Sequence, residues 1–146
     1  MTEDAFALDP RLAADGPAVG DLPLCHVRLV EDRRFFWVSL TPRRAAMSEV
    51  FDLDTEDRLR LMEEIALVSR ALKDLTACTK LNIAALGNMV PQLHVHIIAR
   101  NPDDAAWPGV VFGAGTREPL SDLERQSRLE SLRGRLNVHS PDLPVG

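Results

Sequence analysis

Cysteine is scarce in this chain: two occur among 146 residues, Cys25 and Cys78, and they are not spaced as C-x-x-C. A disulfide framework and a cysteine-based zinc finger are thereby excluded, and the usage fits a reducing compartment. No apolar run comes near the ~20 residues that a membrane span needs. The opening MTEDAFALDP lacks the basic block and the apolar block of a secretory leader. The expectation is a cytoplasmic protein with no membrane partner. Positive charge is also in short supply, since 17 Lys and Arg against 22 Asp and Glu give a formal net charge of −5. A broad basic surface for nucleic acid is therefore not expected, although Arg33, Arg34, Arg43 and Arg44 could still meet a small phosphate-bearing ligand. Internal repeats and low-complexity tracts are missing too. What remains, 45% hydrophobic and 27% charged residues, is the composition of one globular domain able to bury a core.

The pattern of elements divides the chain into a lead-in (1–23), a domain proper (24–115), and a C-terminal helix and tail belonging to the same domain (116–146). In the lead-in, Gly and Pro breakers leave room for a short helix around Pro10 to Ala14 and otherwise for a surface segment. Two strand-like runs follow, about Leu24 to Glu31 and Phe35 to Leu40, joined by a charged turn as in a hairpin. Asp54 or Thr55 then caps a helix to about Leu75, in which Leu59, Met62, Ile65, Ala66, Leu72 and Leu75 recur at helical spacing. A second hairpin is expected from KLNIAAL and VPQLHVHIIA. A three-residue loop, Gly87 to Met89, would set Asn82 opposite His94, whereas a two-residue loop would turn Asn82 to the other face. NPDDAAWPGVVFGAG reads as a loop whose Trp107 needs something to pack against. Ser121 caps a last helix with Leu123, Leu129 and Leu132 near one stripe. These segments predict an α+β fold: an antiparallel sheet of four or five strands with one long helix packed on it and a C-terminal helix.

Within GNMVPQLHVHIIAR, strand alternation places Gln92, His94 and His96 on one face and Leu93, Val95 and Ile97 on the other. The first face offers chemistry and the second offers core. A neutral imidazole is a nucleophile and an imidazolium is a proton donor, so the pair could divide covalent attack and leaving-group protonation, as phosphoryl or nucleotidyl transfer requires. The same H-x-H could hold zinc, given one or two further ligands that the strand itself does not offer. Or the rings could be polar groups satisfied by the backbone, with no chemistry of their own.

The run Gln92-Leu93-His94-Val95-His96-Ile97-Ile98 resembles the signature of the histidine triad (HIT) superfamily of nucleotide hydrolases and transferases, in which three histidines alternate with apolar residues. Gly87-Asn88-Met89-Val90 resembles the segment that precedes the triad in that family, and the order of elements extends the resemblance over about Leu24 to Phe112. The resemblance implies a HIT-like nucleotide-binding or hydrolase domain over 24–115. It implies His94 as the nucleophile on the α-phosphorus of a nucleoside phosphoramidate or dinucleoside polyphosphate, acting through a nucleotidyl-histidine intermediate. His96 would lie near the leaving group and the phosphate oxygens. Gln92 stands where the family has its first histidine; an amide there could orient its neighbour or contact phosphate, but it cannot titrate. Met89 replaces a hydroxyl residue, which removes one anion contact. Asn82, Asn88 and Asp32 are the implied nucleotide-binding residues, with Asp32 or else Glu31 for the ribose. The resemblance further implies a purine nucleoside phosphate derivative as ligand, no required cofactor, no bound metal, and a homodimer. Two other readings stay open: a nucleotide-binding HIT-like module with little or no turnover, and a metal-binding protein that uses the H-x-H pair.

Overall fold

The structure is a computed structural model, and residues 5–141 are described; the leading four residues and the end of the expected polar tail lie outside them. The long helix forms where its signals place it. The Asp54 carboxylate accepts from the Asp57 N–H at 2.8 Å, Glu56 and Asp57 add negative charge to the first turn, and α2 runs Thr55–Thr76 until Ala77 takes up a left-handed φ of 51°. An N-terminal acid both satisfies an unpaired N–H and complements the helix dipole. The buried stripe is Leu61, Ile65, Val68, Ala71 and Leu72. This corrects part of the expectation, since Leu59 and Met62 are 67% and 63% exposed and Ala66 is exposed as well. Leu61, Ile65, Val68 and Leu72 step by four, three and four, which keeps them on one side while Leu59 and Met62 rotate away. A short helix, α1 (Pro10–Ala13), precedes the sheet. Near the other end, α3 (Asp122–Leu136) starts at Ser121, whose hydroxyl accepts from the Glu124 N–H. Its buried residues are Leu132 and Leu136, while Leu123 is 81% exposed.

Five strands, β1 (Ala18–Asp21), β2 (Cys25–Leu29), β3 (Phe36–Pro42), β4 (Lys80–Ala84) and β5 (Val95–Arg100), form one antiparallel sheet in the order β1-β2-β3-β5-β4. The hairpin β2-β3 is the expected one. The lead-in, read as a surface segment, supplies β1, whose Val19 is fully buried. Its approach to β2 is close: a Cβ on Gly16 would come 1.9 Å from the Leu29 carbonyl oxygen, so only glycine fits there.

The β4-β5 register differs from the expected tight hairpin. Asn82 lies opposite Ile98 and Ala84 opposite His96, with 85–94 as the connection. Pro91 has no N–H for a ladder, and the Leu93 N–H donates to the Met47 carbonyl instead of to β4. The displacement is even, so Asn82 keeps the face predicted for it but moves away from His94.

Odd-numbered β5 residues and even-numbered β3 residues point to one face, where Val38, Leu40, Val95 and Ile97 join the main core beneath α2 and α3. On the other face Trp37 and Ile98 build a smaller cluster with Val30, Phe35 and Val111. The predicted division of β5 therefore holds, and the histidine face is roofed by loops instead of helices.

Candidate active site

His94 stands one residue before β5 and His96 is its second residue. Their rings meet edge to face, with centroids 4.9 Å apart. Both are 7% exposed and both line a cleft of about 530 Å³, a volume in the range of small-molecule sites. Three segments distant in sequence close it. Residues 11–15 contribute Arg11, Leu12 and Asp15, the β4-β5 connection contributes Gly87, Asn88 and Met89, and the stretch before α3 contributes Phe112 and Arg117.

Hydrogen-bond partners settle the state of each imidazole. His94 Nδ1 lies 2.7 Å from the Gln92 carbonyl oxygen. A carbonyl only accepts, so Nδ1 carries the proton and the lone pair of the neutral ring is on Nε2. His96 is the opposite case: the Trp37 indole Nε1–H donates to its Nδ1 at 3.0 Å. An indole only donates, so the proton of His96 is on Nε2. Burial pushes the His96 pKa down to about 4, and the neighbouring His94 and Arg117 push the same way. A nucleophilic nitrogen and a neutral N–H donor thus stand side by side, which is a usable arrangement for attack on a phosphoryl group.

Phe112 packs edge-on against both His96, at 5.0 Å, and Trp37, at 5.5 Å. Its loop is held by Arg100, 1% exposed, which donates to the Asp104 carboxylate, the Asn82 side-chain oxygen and the Gly109 carbonyl. Asp104 in turn accepts from the Ala106 and Trp107 N–H groups. Burial opposes ionisation of Asp104, but Arg100 and the backbone donors hold its carboxyl far below the usual range. Trp107 finds its expected partner beneath the Arg100 guanidinium, 5.9 Å from the ring centroid.

The other predicted site residues divide between the cleft and elsewhere. Asn88 lines the cleft, as does Met89, which is 84% exposed. Gln92 supplies its carbonyl to His94, but its side chain points to the N-terminal segment: Oε1 accepts from the Asp9 N–H at 2.8 Å and Nε2 donates to the Ala7 carbonyl at 2.9 Å. Asn82 is engaged with Arg100 at 2.7 Å and is not part of the cleft lining. Asp32 is fully buried in the β2-β3 turn, bonded through both oxygens to Arg34. Burial would raise its pKa, but the Arg34 guanidinium and backbone N–H groups outweigh that and leave it lowered. The carboxylate that does line the cleft is Asp15, which accepts from Arg117 Nη1 at 3.0 Å. Among the described residues no group of three or more His, Cys, Asp and Glu could hold a metal ion.

Arg11, Asp15, Trp37, Phe112 and Arg117 escaped the sequence reading. Trp37 alone had a usable signal: it falls on the odd-numbered face of β3, which pairs with the histidine face of β5 once Ser39 is set opposite His96. The pairing itself is not local information.

The chain is similar to proteins of known fold. The model of the HIT domain matches residues 11–103. A histidine triad protein from Bradyrhizobium japonicum is 48% identical, with a TM-score of 0.89 over 90% of this chain and 98% of that one. Another from Sinorhizobium meliloti is 45% identical, with a TM-score of 0.87 over 89% and 96%. A third from Marinobacter aquaeolei is 40% identical, with a TM-score of 0.88 over 91% and 97%. A Zn-bound histidine triad family protein from Mycobacterium smegmatis, 18% identical with a TM-score of 0.57 over 88% and 90%, shares the fold. No match is found among curated protein sequences. With the α+β fold, the paired histidines and the matched segment in agreement, the chain belongs to the histidine triad family.

Proposed function

We propose that this protein is a nucleotide hydrolase or nucleotidyl transferase acting at the α-phosphate of a nucleoside phosphoramidate or dinucleoside polyphosphate. The observation that carries the reading is the pair of opposite tautomers. The Gln92 carbonyl holds the Nδ1 proton of His94, so that Nε2 is free to attack, and His96 directs Nε2–H as a donor. In the first step His94 Nε2 bonds to the α-phosphorus and the bond to the leaving group breaks with its electron pair on the leaving atom, which departs as a phosphate anion or, from a phosphoramidate, as an amine that has taken a proton from solvent. In the second, water bonds to phosphorus and releases a proton to solvent, the P–N bond breaks with its electrons returning to Nε2, and a nucleoside monophosphate departs. Arg11 and Arg117 on the cleft supply positive charge for phosphate oxygens, and Asn88 adds an amide. The proposed steps draw on side chains of the chain and on water, and the proposal includes no cofactor. Asn82 and Asp32, held by Arg100 and Arg34, serve this reading as scaffold.

Rapid alkaline quenching of the protein with a dinucleoside polyphosphate radiolabelled at the α-phosphate is expected to trap a base-stable, acid-labile nucleotidyl-histidine, absent in His94→Ala. Tight binding with no trapped species and no turnover would support the alternative of a nucleotide-binding module. That alternative draws on Gln92, whose side chain is turned away from the histidines. A homodimer is part of the proposal. The strand β4 is an edge, Ile83 on it is 53% exposed, and Leu59 and Met62 on α2 are more so, features that a second copy would cover.

A further inference from the structure

His96 is gripped from several directions, and none of the groups around it favours a charge. Just before its own strand stands His94, edge to face with it. From β3 comes Trp37, 3% exposed, whose indole N–H is spent on His96 Nδ1. Phe112 covers an edge of the ring from the loop after β5. From the segment before α3 comes Arg117, whose guanidinium lies over the Trp37 ring, 5.0 Å from its centroid. The carboxylate of Asp15 is bound to that guanidinium, and among the described residues no carboxylate forms a hydrogen bond to His96, whose partner is Trp37. Trp37 is itself fixed, pairing with Ile98 across the sheet and standing edge-on to Phe112.

The geometry points to Trp37 as a positioning residue that holds His96 as a neutral Nε2–H donor, so that His96 gives the phosphoryl group a hydrogen bond and gives the leaving group no proton. This rests on the nucleotidyl-transfer reading above. Protonation at Nδ1 would set N–H against N–H and bury a cation among His94, Arg117 and two aromatic rings. The low pKa of His96 agrees. The consequence falls on the substrate. An amine leaves a phosphoramidate only after its nitrogen is protonated, whereas in an anhydride the bridging P–O bond breaks with its electron pair on oxygen and the product departs as a phosphate anion. Arg11 and Arg117, both on the cleft, complement such an anion. The site is therefore built for leaving groups that depart as anions, phosphoanhydrides before amines.

Nitrogen-15 NMR of imidazole-labelled full-length protein tests the positioning without any turnover, with His96→Gln to assign the signals. In the wild type, His96 is expected as the Nε2–H tautomer, with Nδ1 a hydrogen-bonded acceptor and no titration until below about pH 5. In Trp37→Phe, Nδ1 loses its donor, the Nδ1–H form appears, and the titration moves up. A wild-type His96 that carries its proton on Nδ1, or titrates near its ordinary value, would overturn the proposal whether or not Trp37→Phe folds. The kinetic arm compares kcat/KM for a diadenosine polyphosphate and an alkyl phosphoramidate of AMP, expected to favour the anhydride on the order of 100-fold or more, and to fall for both in Trp37→Phe on the order of 10-fold, through kcat. Equal rates or a preference for the amine would overturn it. If neither compound is cleaved, the proposed function fails, and the NMR result alone decides the part played by Trp37.

Discussion

The two faces of β5 carry the same strand geometry and opposite tasks. Towards the helices, Val95 and Ile97 pack with Leu40, Ile65 and Leu72 in one apolar cluster. Away from them, His96 and Arg100 on the strand, and His94 just before it, are buried to a similar degree, yet each polar ring or guanidinium has a named partner. Burial therefore does not distinguish the faces; what covers them does. Helices bring side chains alone, because their backbone polar groups are internally satisfied. The loops and lead-in over the histidines bring carbonyls, N–H groups and arginines, which is what a site for an anion needs.

The comparison breaks most sharply at His94. His94→Ala is expected to remove at least on the order of 10⁴-fold of kcat, because a nucleophile has no substitute, while the melting temperature moves by only a few degrees. On the opposite face one residue away, Val95→Asp is expected to show the reverse. An unpaired carboxylate among Leu40, Ile97 and Leu72 costs about 3 to 5 kcal/mol, read as a large drop in the urea midpoint, with activity lost only as folded protein is lost. If Val95→Asp melted normally, or if His94→Ala unfolded, the assignment of faces would be inverted.

Acid sharpens the same contrast. The unfolded chain protonates His96 near its ordinary pKa of 6.5, while the folded chain holds it neutral to about 4. Between those values the unfolded state binds more protons, so stability falls as the pH falls, by up to about 3 kcal/mol in all. Lowered carboxylates such as Glu31 and Asp32 add their loss at lower pH. Chemical denaturation at pH 7 and pH 4.5 measures the slope, and His96→Gln is expected to flatten it. A slope unchanged in His96→Gln would show that His96 does not resist protonation. Val95 and Ile97 on the helix-covered face of β5 do not titrate, so apolar replacements such as Ile97→Val are expected to leave the slope unchanged.

How much of this was legible in the sequence follows from the range of each interaction. The Asp54 and Ser121 caps, the period-two division of β5 and the β2-β3 hairpin depend on residues a few positions apart, and all were readable. The strand β1 was hidden because four residues between Gly and Pro breakers have too little pattern to reveal a partner. The β4-β5 register was misjudged because Leu93 spends its N–H on Met47, a contact outside both strands. The pairing of Trp37 with His96 spans 59 positions, and Arg117 reaches Asp15 across 102. Such contacts follow from topology, and local composition says nothing about them.

The smallest expected effect separates side chain from backbone at Gln92. Its carbonyl, which any residue provides, holds the Nδ1 proton of His94. Its amide ties Ala7 and Asp9, next to Arg11, which donates to the Met89 carbonyl and lines the cleft. Gln92→Leu therefore leaves the nucleophile oriented and loosens one wall, at a cost of about 1 to 2 kcal/mol for two partly solvated hydrogen bonds. The expected signature is a KM raised on the order of 3- to 10-fold, with kcat within about 2-fold. Gln92→His is expected to behave alike, since one imidazole cannot both accept from Asp9 and donate to Ala7 in the amide's geometry. Steady-state kinetics of both variants provide the check. A kcat reduced on the order of 10- to 100-fold at constant KM in Gln92→Leu would mean that the amide, and not the carbonyl, orients His94 during the reaction. A kcat raised in Gln92→His would mean that the first triad position reaches the leaving group after all, and that its imidazole supplies the proton His96 withholds.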